Sequence, residues 1–557
     1  MNRDYVIGLD YGSDSVRAVL VDAHNGEQIA EAVHNYERWR QGLYCNAAES
    51  RFRQHPLDYL EGLHNVLHGI LDNHPQEAKF VRAISVDTTA STPCLTDENL
   101  QPLSLKEEFK DNPDAMFVLW KDHTGVAEAA EIEAACHANE VDYTQVSGYH
   151  YSAECFWSKV LHLLRTSEPI RKAARSVIEC SDYITATLTG TTDPAKNRMG
   201  HCNASQKMFW SEDWGGFPPE SFFEALDPAI IPILRTMNAN KYTCDKPYGT
   251  IDPQLADSLG LNHDVVVGCG NVDSHQGAIG AGVAYKTAMI NLGTSGCCMF
   301  VIPNEVLGGR IIDGVFGQAD SCILPGMVGF EVGLSAFGDA YAWLRRTLAY
   351  PVTEILGKSE RIDEVTRKAL VEEVSDKILY QLGEDAARLP HRIDAPFATD
   401  WFNGRRSPDP NQNLWGSLMG LHLSSSAPEL YYAIVEATAL AMKTIVDHLR
   451  ERGIDFDAFI GVGGISQKSP FVMQMLADAI GKEIRVSECK QSCALGSAIC
   501  ASVVAGLYPT IEEAQKALCR PIIRTYTPDP VHRELLQRRH ELYREAGRFT
   551  ENIVNNF

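Results

Sequence analysis

Apolar and polar positions along this chain fall into blocks of two different periods. "YVIGL", Tyr5 to Leu9, is an unbroken apolar run of strand length, and "SVRAVLVD", Ser15 to Asp22, is a second run with partial alternation. "YGSD" between them reads as a turn, and Asn25-Gly26 in "AHNGE" marks a hairpin before a third short strand, "QIAEAVH". Residues 57–73, "LDYLEGLHNVLHGILDN", space apolar side chains three and four apart and predict an amphipathic helix. "VRAISVDTT" is another buried strand, ending in polar residues as the first one does.

A later stretch repeats the opening. "KTAMINLGTSGCCMFVIP", from Lys286, again predicts strand, Gly-Thr-Ser turn and strand. It lies about half a chain away, which suggests two related domains and not a solenoid, whose periods are about 20–50 residues. Just before it, "DVVVGCGNVDSHQGAIGAGV" predicts strand, glycine turn, Asp273 and the start of a small-residue helix. "FDAFIGVGGISQKSPFVMQMLADAIG" and "KEIRVSECKQSCALGSAICASVVAGLY" each predict strand, polar or glycine turn, helix. The C-terminal "PVHRELLQRRHELYREAGRFTENI" is a charged amphipathic helix whose spacing predicts structural packing. Strands alternating with helices, with loop chemistry at the strand C-termini, define an α/β architecture. Two such halves are expected to leave a cleft between them in which a ligand binds.

The chain has 557 residues, too many for one core, and ordinary domain sizes suggest two to four domains. Hydrophobic residues make up 45% and charged residues 22%, as in a globular protein. Lys+Arg 50 against Asp+Glu 73 leaves a net charge of −23, which argues against nucleic acid or an anionic membrane as partner. A local basic pocket for a small phosphate ligand remains compatible with it. The fifteen cysteines are scattered, with only Cys297 and Cys298 adjacent and no metal-type spacing, and read as reduced thiols of a cytosolic enzyme. "MNRDYVIGLD" lacks the apolar core of a signal peptide, and Cys493 to Tyr508 falls short of the roughly 18 residues of a membrane span. A cytoplasmic protein is expected.

Several signatures are missing. The only "GKS", Gly357 to Ser359, would need glycine at 352 to form a P-loop, and Val352 stands there. "GAIGAG", Gly277 to Gly282, has glycines like a dinucleotide fingerprint but at the wrong spacing. His64 and His68 are spaced to share a helix face, yet no third metal ligand lies nearby in sequence, so an exposed face is the plainer reading. There is no G-x-S-x-G elbow or H-E-x-x-H helix.

Two turns and one aspartate remain. In a Gly- and Ser-rich turn, successive backbone N–H groups can converge on phosphate oxygens, and small side chains let the backbone come close. Gly12, Ser13, Asp14 and Ser15 form one such turn; Gly293, Thr294 and Ser295 form the other. Arg17 can neutralise a terminal phosphate, and Asp10 can hold Mg²⁺ through water. Either turn alone reads more simply as a hairpin. Both together, in matching positions of two repeated halves, favour a phosphate clamp, with Asp10 facing Asn291 as the asymmetry that assigns magnesium to the first. How Asp14 avoids repelling the phosphates is left open.

With Asp273 in "GNVDSHQGAIGAG" and with "GVGGISQKS", this pattern resembles the FGGY carbohydrate kinases of the actin/Hsp70/sugar-kinase superfamily. The resemblance covers essentially the whole chain and is strongest to bacterial members acting on L-ribulose. It rests on "GLDYGSDSVRA", "STP" at Ser91, "MFVLWKDHT", "WGG" at Trp214, "GFEVG" around Glu331 and "DWFNGRRSP". It implies two duplicated actin-like (ribonuclease H-like) ATPase domains, 1–282 and 283–508, with a helical tail, 509–557. It also implies ATP and Mg²⁺ as cofactors and phosphorylation of L-ribulose to L-ribulose 5-phosphate, and it leaves a homodimer open. Asp273 would be the catalytic base; its plainer reading is a helix N-cap, and the two roles do not exclude each other. The adenine would lie at Gly463-Gly464 with Gln467 and Ser469. Trp120, Asp122, Lys207 and Glu331 would meet the sugar. Ala90 and Ser91 would give it room where glycerol kinases carry an Arg-Glu pair. The plainer readings are core for Trp120 and surface ion pairs for Lys207 and Glu331. Kinases of another ketopentose or pentitol (D-ribulose, xylulose, ribitol) and an actin- or Hsp70-like ATPase are the rival readings.

Overall fold

The computed structural model describes residues 3–238, 240–315 and 317–556; Met1, Asn2 and Phe557, at the ends of the expected first and last segments, lie outside them. In chain order a first unit opens with strands β1 (Tyr5–Tyr11), β2 (Ser15–Asp22) and β3 (Gln28–Asn35). Helix α1 (Pro56–Leu71), strand β4 (Val81–Thr88), helix α2 (His201–Lys207), strands β5 (Pro247–Thr250), β6 (Val266–Gly268) and β7 (Asn271–Val272), and helix α3 (Asp273–Ala281) follow. A second unit starts with β8 (Thr287–Leu292) and the first residues, 296–300, of β9 (Gly296–Pro303). It continues with β10 (Met327–Leu334), α4 (Gly338–Tyr350), α5 (Ala427–Glu451), β11 (Ala458–Val462), α6 (Gly464–Lys468), α7 (Pro470–Ile480) and β12 (Glu483–Ser487). Helix α8 (Ser492–Val504) returns to the first unit, and β13 (Ile522–Tyr526) and α9 (Pro530–Val554) complete the second.

By compactness the first unit is Met1–Ala284, Val301–Phe330 and Gln491–Arg520, and the second is Tyr285–Phe300, Glu331–Lys490 and Pro521–Phe557. The first boundary falls beside the expected one at 282, but residues 301–330 and 491–520 rejoin the first unit and the expected tail is split at Arg520. The return of α8 has a packing cause. A Cβ on Gly280 would stand 1.9 Å from Ser492 O, and one on Gly496 would stand 1.9 Å from Gln276 O. Helices α3 and α8 therefore touch backbone to backbone, which only glycine permits. Gly280 of "GAIGAG" lies in this seam.

In the first unit the strand order is β5-β6-β4-β1-β2-β3, with β7 continuing alongside β4. All seven residues of β1 are buried, which explains its unbroken apolar run: α8 packs on β1 and β4, and α1 on β2 and β3. A second core in this unit, around Phe156, Trp157 and Val160, takes in Met208, Phe209 and Trp210 just after α2. It fixes where α2 ends and hence where Lys207 stands.

The other seven-stranded sheet begins with an edge strand, Gly317–Asp320, and continues in the order β10-β9-β8-β11-β12-β13. The expected structural role of the C-terminal helix is visible here. Arg539 of α9 is buried, with Nε 2.7 Å from both carboxylate oxygens of Glu436 on α5. Its remaining N–H groups reach the carbonyls of Arg392, Ile393, Ala395 and Pro396. Among the described residues no helix is long and apolar enough to cross a membrane.

Candidate active site

Strands β1 and β2 are joined by Gly12–Asp14, and the Gly12 N–H donates to Ser15 O at 3.0 Å to close the hairpin. β1 runs parallel to β4, and Asp10 and Asp87 are register partners near the ends of both strands. β7 prolongs the sheet along β4, pairing Asn271 with Asp87, and so delivers Asp273 as the first residue of α3. Three chain-distant carboxylates thereby emerge at the carboxyl ends of neighbouring strands. Asp10 Oδ2 accepts from Arg17 Nη1 at 3.1 Å. Asp87 Oδ2 accepts from Ser497 Oγ of α8 at 2.6 Å, while its buried Oδ1 has no hydrogen-bond partner among the described residues.

Burial raises the Asp10 carboxyl above its usual range, and the Arg17 guanidinium pulls it partly back. Burial, then the charges of Asp10 and Asp273, push Asp87 well above that range. The Cys493 thiol of α8 is pushed up by its burial and by the same three aspartates. Carboxylates in excess over nearby cations, one with an orphaned oxygen, suit a hard divalent cation bound through oxygen.

Asp273 Oδ1 accepts from the Ser274 N–H at 2.6 Å. The N-cap of α3 is Val272, so Asp273 lies inside the first turn, at the positive end of the helix, and is not the cap itself. Asp14 is exposed. Its Oδ1 accepts from Ser15 Oγ at 3.3 Å, and its carbonyl accepts from the Tyr36 N–H at 3.0 Å.

Trp120 Nε1 donates to Ser13 Oγ at 2.9 Å, so the first loop and the segment around Trp120 are tied together. Ser91 and Asp122, expected beside a sugar, are fully buried and already committed to protein partners. Ser91 Oγ donates to Glu179 Oε2 at 2.7 Å. Asp122 Oδ2 pairs with Arg53 and accepts from the Phe52 N–H at 2.6 Å, and its Oδ1 accepts from Thr124 N and Oγ1 at 3.1 and 2.6 Å. Ala90 is half-buried beside them. Buried Lys159 donates to the carbonyls of Ser91, Leu119 and Trp120 at 2.6, 2.9 and 3.2 Å, and burial pulls its pKa down to about 7. Lys207 is buried at the end of α2, unlike an ordinary surface cation.

The second unit repeats the hairpin with a different lining. Gly293 N–H donates to Ser295 O at 3.1 Å, and the N–H groups of Phe337, Gly338 and Asp339, at the start of α4, donate to Thr294 O, Gly293 O and Thr294 O at 2.9, 3.0 and 3.1 Å. Asn291 lies opposite Cys297 and beside Val462 of β11. Gly463 follows with φ +88°, and a Cβ there would stand 2.6 Å from Leu292 O; a Cβ on Gly464 would meet nothing within 4 Å. A flat ligand can approach Gly464 from that open side. Gln467 Nε2 donates to Ser487 O at 2.7 Å, tying α6 to the end of β12, and Ser469 begins α7 with its hydroxyl on Tyr431. Glu331 of β10 is half-buried, and its Oε1 accepts from Cys297 Sγ at 3.6 Å.

Asp87, Ser497, Lys159 and Glu179 were not singled out from the sequence. "VRAISVDTT" carried a usable signal, since its Asp87 ends a buried strand as Asp10 does. So did "FWSKVLHLL", where Lys159 interrupts an apolar helix. Glu179 and Ser497 had none.

Two hairpins of one construction, one of them beside a carboxylate cluster, are the arrangement that the resemblance to the sugar-kinase class implies. Residues 5–280 match the N-terminal domain and residues 288–505 the C-terminal domain of the FGGY family of carbohydrate kinases, and the chain belongs to that family. It is an ATP-dependent sugar kinase. Its curated relatives include the ribulokinase of Vibrio parahaemolyticus, 41% identical over 99% of this chain and 97% of that protein. The ribulokinase of Halalkalibacterium halodurans is 32% identical over 98% of this chain and 94% of that protein. Among solved structures, the xylulose kinase of Rhodospirillum rubrum has a TM-score of 0.80 at 20% identity, covering 99% of this chain and 100% of that one. The Plasmodium falciparum glycerol kinase with ADP has a TM-score of 0.75 at 14% identity, covering 98% of each chain. At such identities these two show the fold alone.

Proposed function

We propose that the chain transfers the γ-phosphate of ATP to the 5-hydroxyl of L-ribulose, giving L-ribulose 5-phosphate and ADP. The observation that carries the reading is the meeting of Asp10, Asp87 and Asp273 at the carboxyl ends of neighbouring strands in a chain whose full-length relatives are named ribulokinases. Asp273 takes the proton of the 5-hydroxyl as that oxygen bonds to the γ-phosphorus and the bond to the bridging oxygen of ADP breaks. Its carboxylate is aimed by the Ser274 amide. Asp10, through water, and the orphaned Asp87 oxygen would hold Mg²⁺, which when bound supplies positive charge against the phosphate oxygens.

The backbone of Gly12–Ser15 and of Gly293–Ser295 is assigned to the phosphates, Arg17 to their charge, and Gly463-Gly464 with Gln467 and Ser469 to the adenine side. Trp120, Lys207 and Glu331 are assigned to the sugar, with Ala90 leaving it space. The burial of Ser91 and Asp122 supports a positioning role for both: they and Lys159 hold the segment carrying Trp120. A coupled ADP-release assay across L-ribulose, D-ribulose, xylulose and ribitol tests the substrate. The expected result is the highest kcat/KM for L-ribulose, and no turnover of L-ribulose would overturn the reading. ADP release that needs no sugar would favour an actin- or Hsp70-like ATPase.

A further inference from the structure

Behind Asp273, three side chains from separate segments of the first unit converge. Cys202 and Gln206 are four apart on α2 and share one face, His275 is the third residue of α3, and Cys322 lies in the segment just before β10. Cys202 Sγ is 3.0 Å from His275 Nδ1, and the ligating atoms of Cys202, His275 and Cys322 all lie within 4.8 Å of one another. All three residues are buried. A tetrahedral ion with metal–sulfur bonds of about 2.3 Å and metal–nitrogen bonds of about 2.0 Å separates its ligand atoms by about 3.5–3.8 Å, so small side-chain shifts suffice.

A second observation points the same way. Gln206 Nε2 stands 3.3 Å from His275 Nε2 and 3.5 Å from Cys322 Sγ, while the buried Gln206 Oε1 has no hydrogen-bond partner among the described residues. Turning the amide over lets Oε1 accept from His275 Nε2–H. That fixes the tautomer whose Nδ1 lone pair points toward Cys202, the orientation that a carbonyl-type partner imposes on metal-bound histidines.

We propose that Cys202, His275 and Cys322 form a binding site for a thiophilic divalent cation of the zinc class, with Gln206 as the residue that orients His275. Two thiolates and an imidazole select such an ion over magnesium, so the site is chemically separate from the one serving ATP. On binding, the S–H bonds of Cys202 and Cys322 break, two sulfur–metal bonds form and both protons pass to solvent, so affinity rises with pH. The ion would clamp α2, α3 and the segment before β10 together.

The test uses the full-length protein, metal-free and kept reduced with a phosphine, titrated with Co²⁺ and then Zn²⁺. One Co²⁺ per chain, with a thiolate-to-cobalt charge-transfer band that Zn²⁺ abolishes, is the expected result. Cys202→Ser and Cys322→Ser should each weaken or remove the band, Gln206→Leu should cost about 10–100-fold in affinity, and Cys94→Ser, a buried thiol elsewhere, should change nothing. No band in the wild type, or a band undiminished in both serine variants, would overturn the proposal. Should a serine variant fail to fold, the wild-type melting temperature decides: it should rise with added Zn²⁺, and no rise would overturn the site. None of these readouts is kinase activity, so failure here leaves the assignment of substrate and base untouched.

Discussion

The two hairpin loops share a construction and differ in charge. Each is a buried strand, a three-residue turn and a returning strand, with a parallel strand beside the first. Where β1 has Asp10 paired across to Arg17 and flanked by Asp87, β8 has Asn291 paired across to Cys297 and flanked by Val462. One loop is a carboxylate site held at a cost in burial, and the other is a neutral cradle whose carbonyls are taken up by the start of α4. A repeated backbone thus carries two different linings, and the difference lies in three positions per hairpin.

Variants can break or sharpen that difference. The largest effect is expected from Asp273→Asn, which should lower kcat about 10²–10⁴-fold with little change in sugar affinity; near-wild-type turnover would remove the base assignment. Asp10→Asn copies the Asn291 lining into the first loop and should cost on the order of 10²–10³ in kcat. The reverse change, Asn291→Asp, should act on the KM for ATP more than on kcat. Equal effects of the two exchanges on kcat would mean that the loops do not divide the chemistry.

Gly463→Ala should cost about 1–3 kcal/mol, because a Cβ at φ +88° would also strike Leu292 O. A thermal melt reads it, and an unchanged melting temperature would contradict the close approach. Asp87→Asn probes the acid side through stability. A carboxyl raised by burial binds its proton more tightly folded than unfolded, so stability falls as pH rises from the ordinary carboxylate range through the raised value. The permanently neutral variant should melt above the wild type near neutral pH, with the gain vanishing toward about pH 4, while kcat falls. A variant no more stable at neutral pH would show that Asp87 carries no burial cost. The smallest change, Gln467→Ala, removes one bond to Ser487 O and should cost about 0.5–1.5 kcal/mol.

Much of the fold was legible residue by residue. The fully buried β1 and β4 appear as unbroken apolar runs, and α1 and α9 as helical stripes, because burial on one or two faces leaves a local period. Asp10, Asp273 and the two Gly/Ser turns were legible for a related reason: a strand's end and a tight turn restrict residue type locally. What could not be read is where side chains find partners far along the chain. Asp122 and Ser91 look like ligands for hydroxyls until Arg53 and Glu179 are seen to occupy them. Lys207 resembles a surface cation until its burial at the end of α2 is seen. The segments 301–330 and 491–520 belong to the first unit only because α8 fits the backbone of α3.

By itself the sequence determined the alternation of strands and helices, the duplicated hairpin and the aspartate between strand and helix, since each depends on neighbours within a few residues. Tertiary structure alone decided that Asp87 joins Asp10, that Ser497 and Lys159 support the site, and that Cys202, His275 and Cys322 meet. Those outcomes depend on desolvation and on partners brought from distant segments. The energy of a buried charge or thiol is set by what surrounds it in space, which no local pattern records.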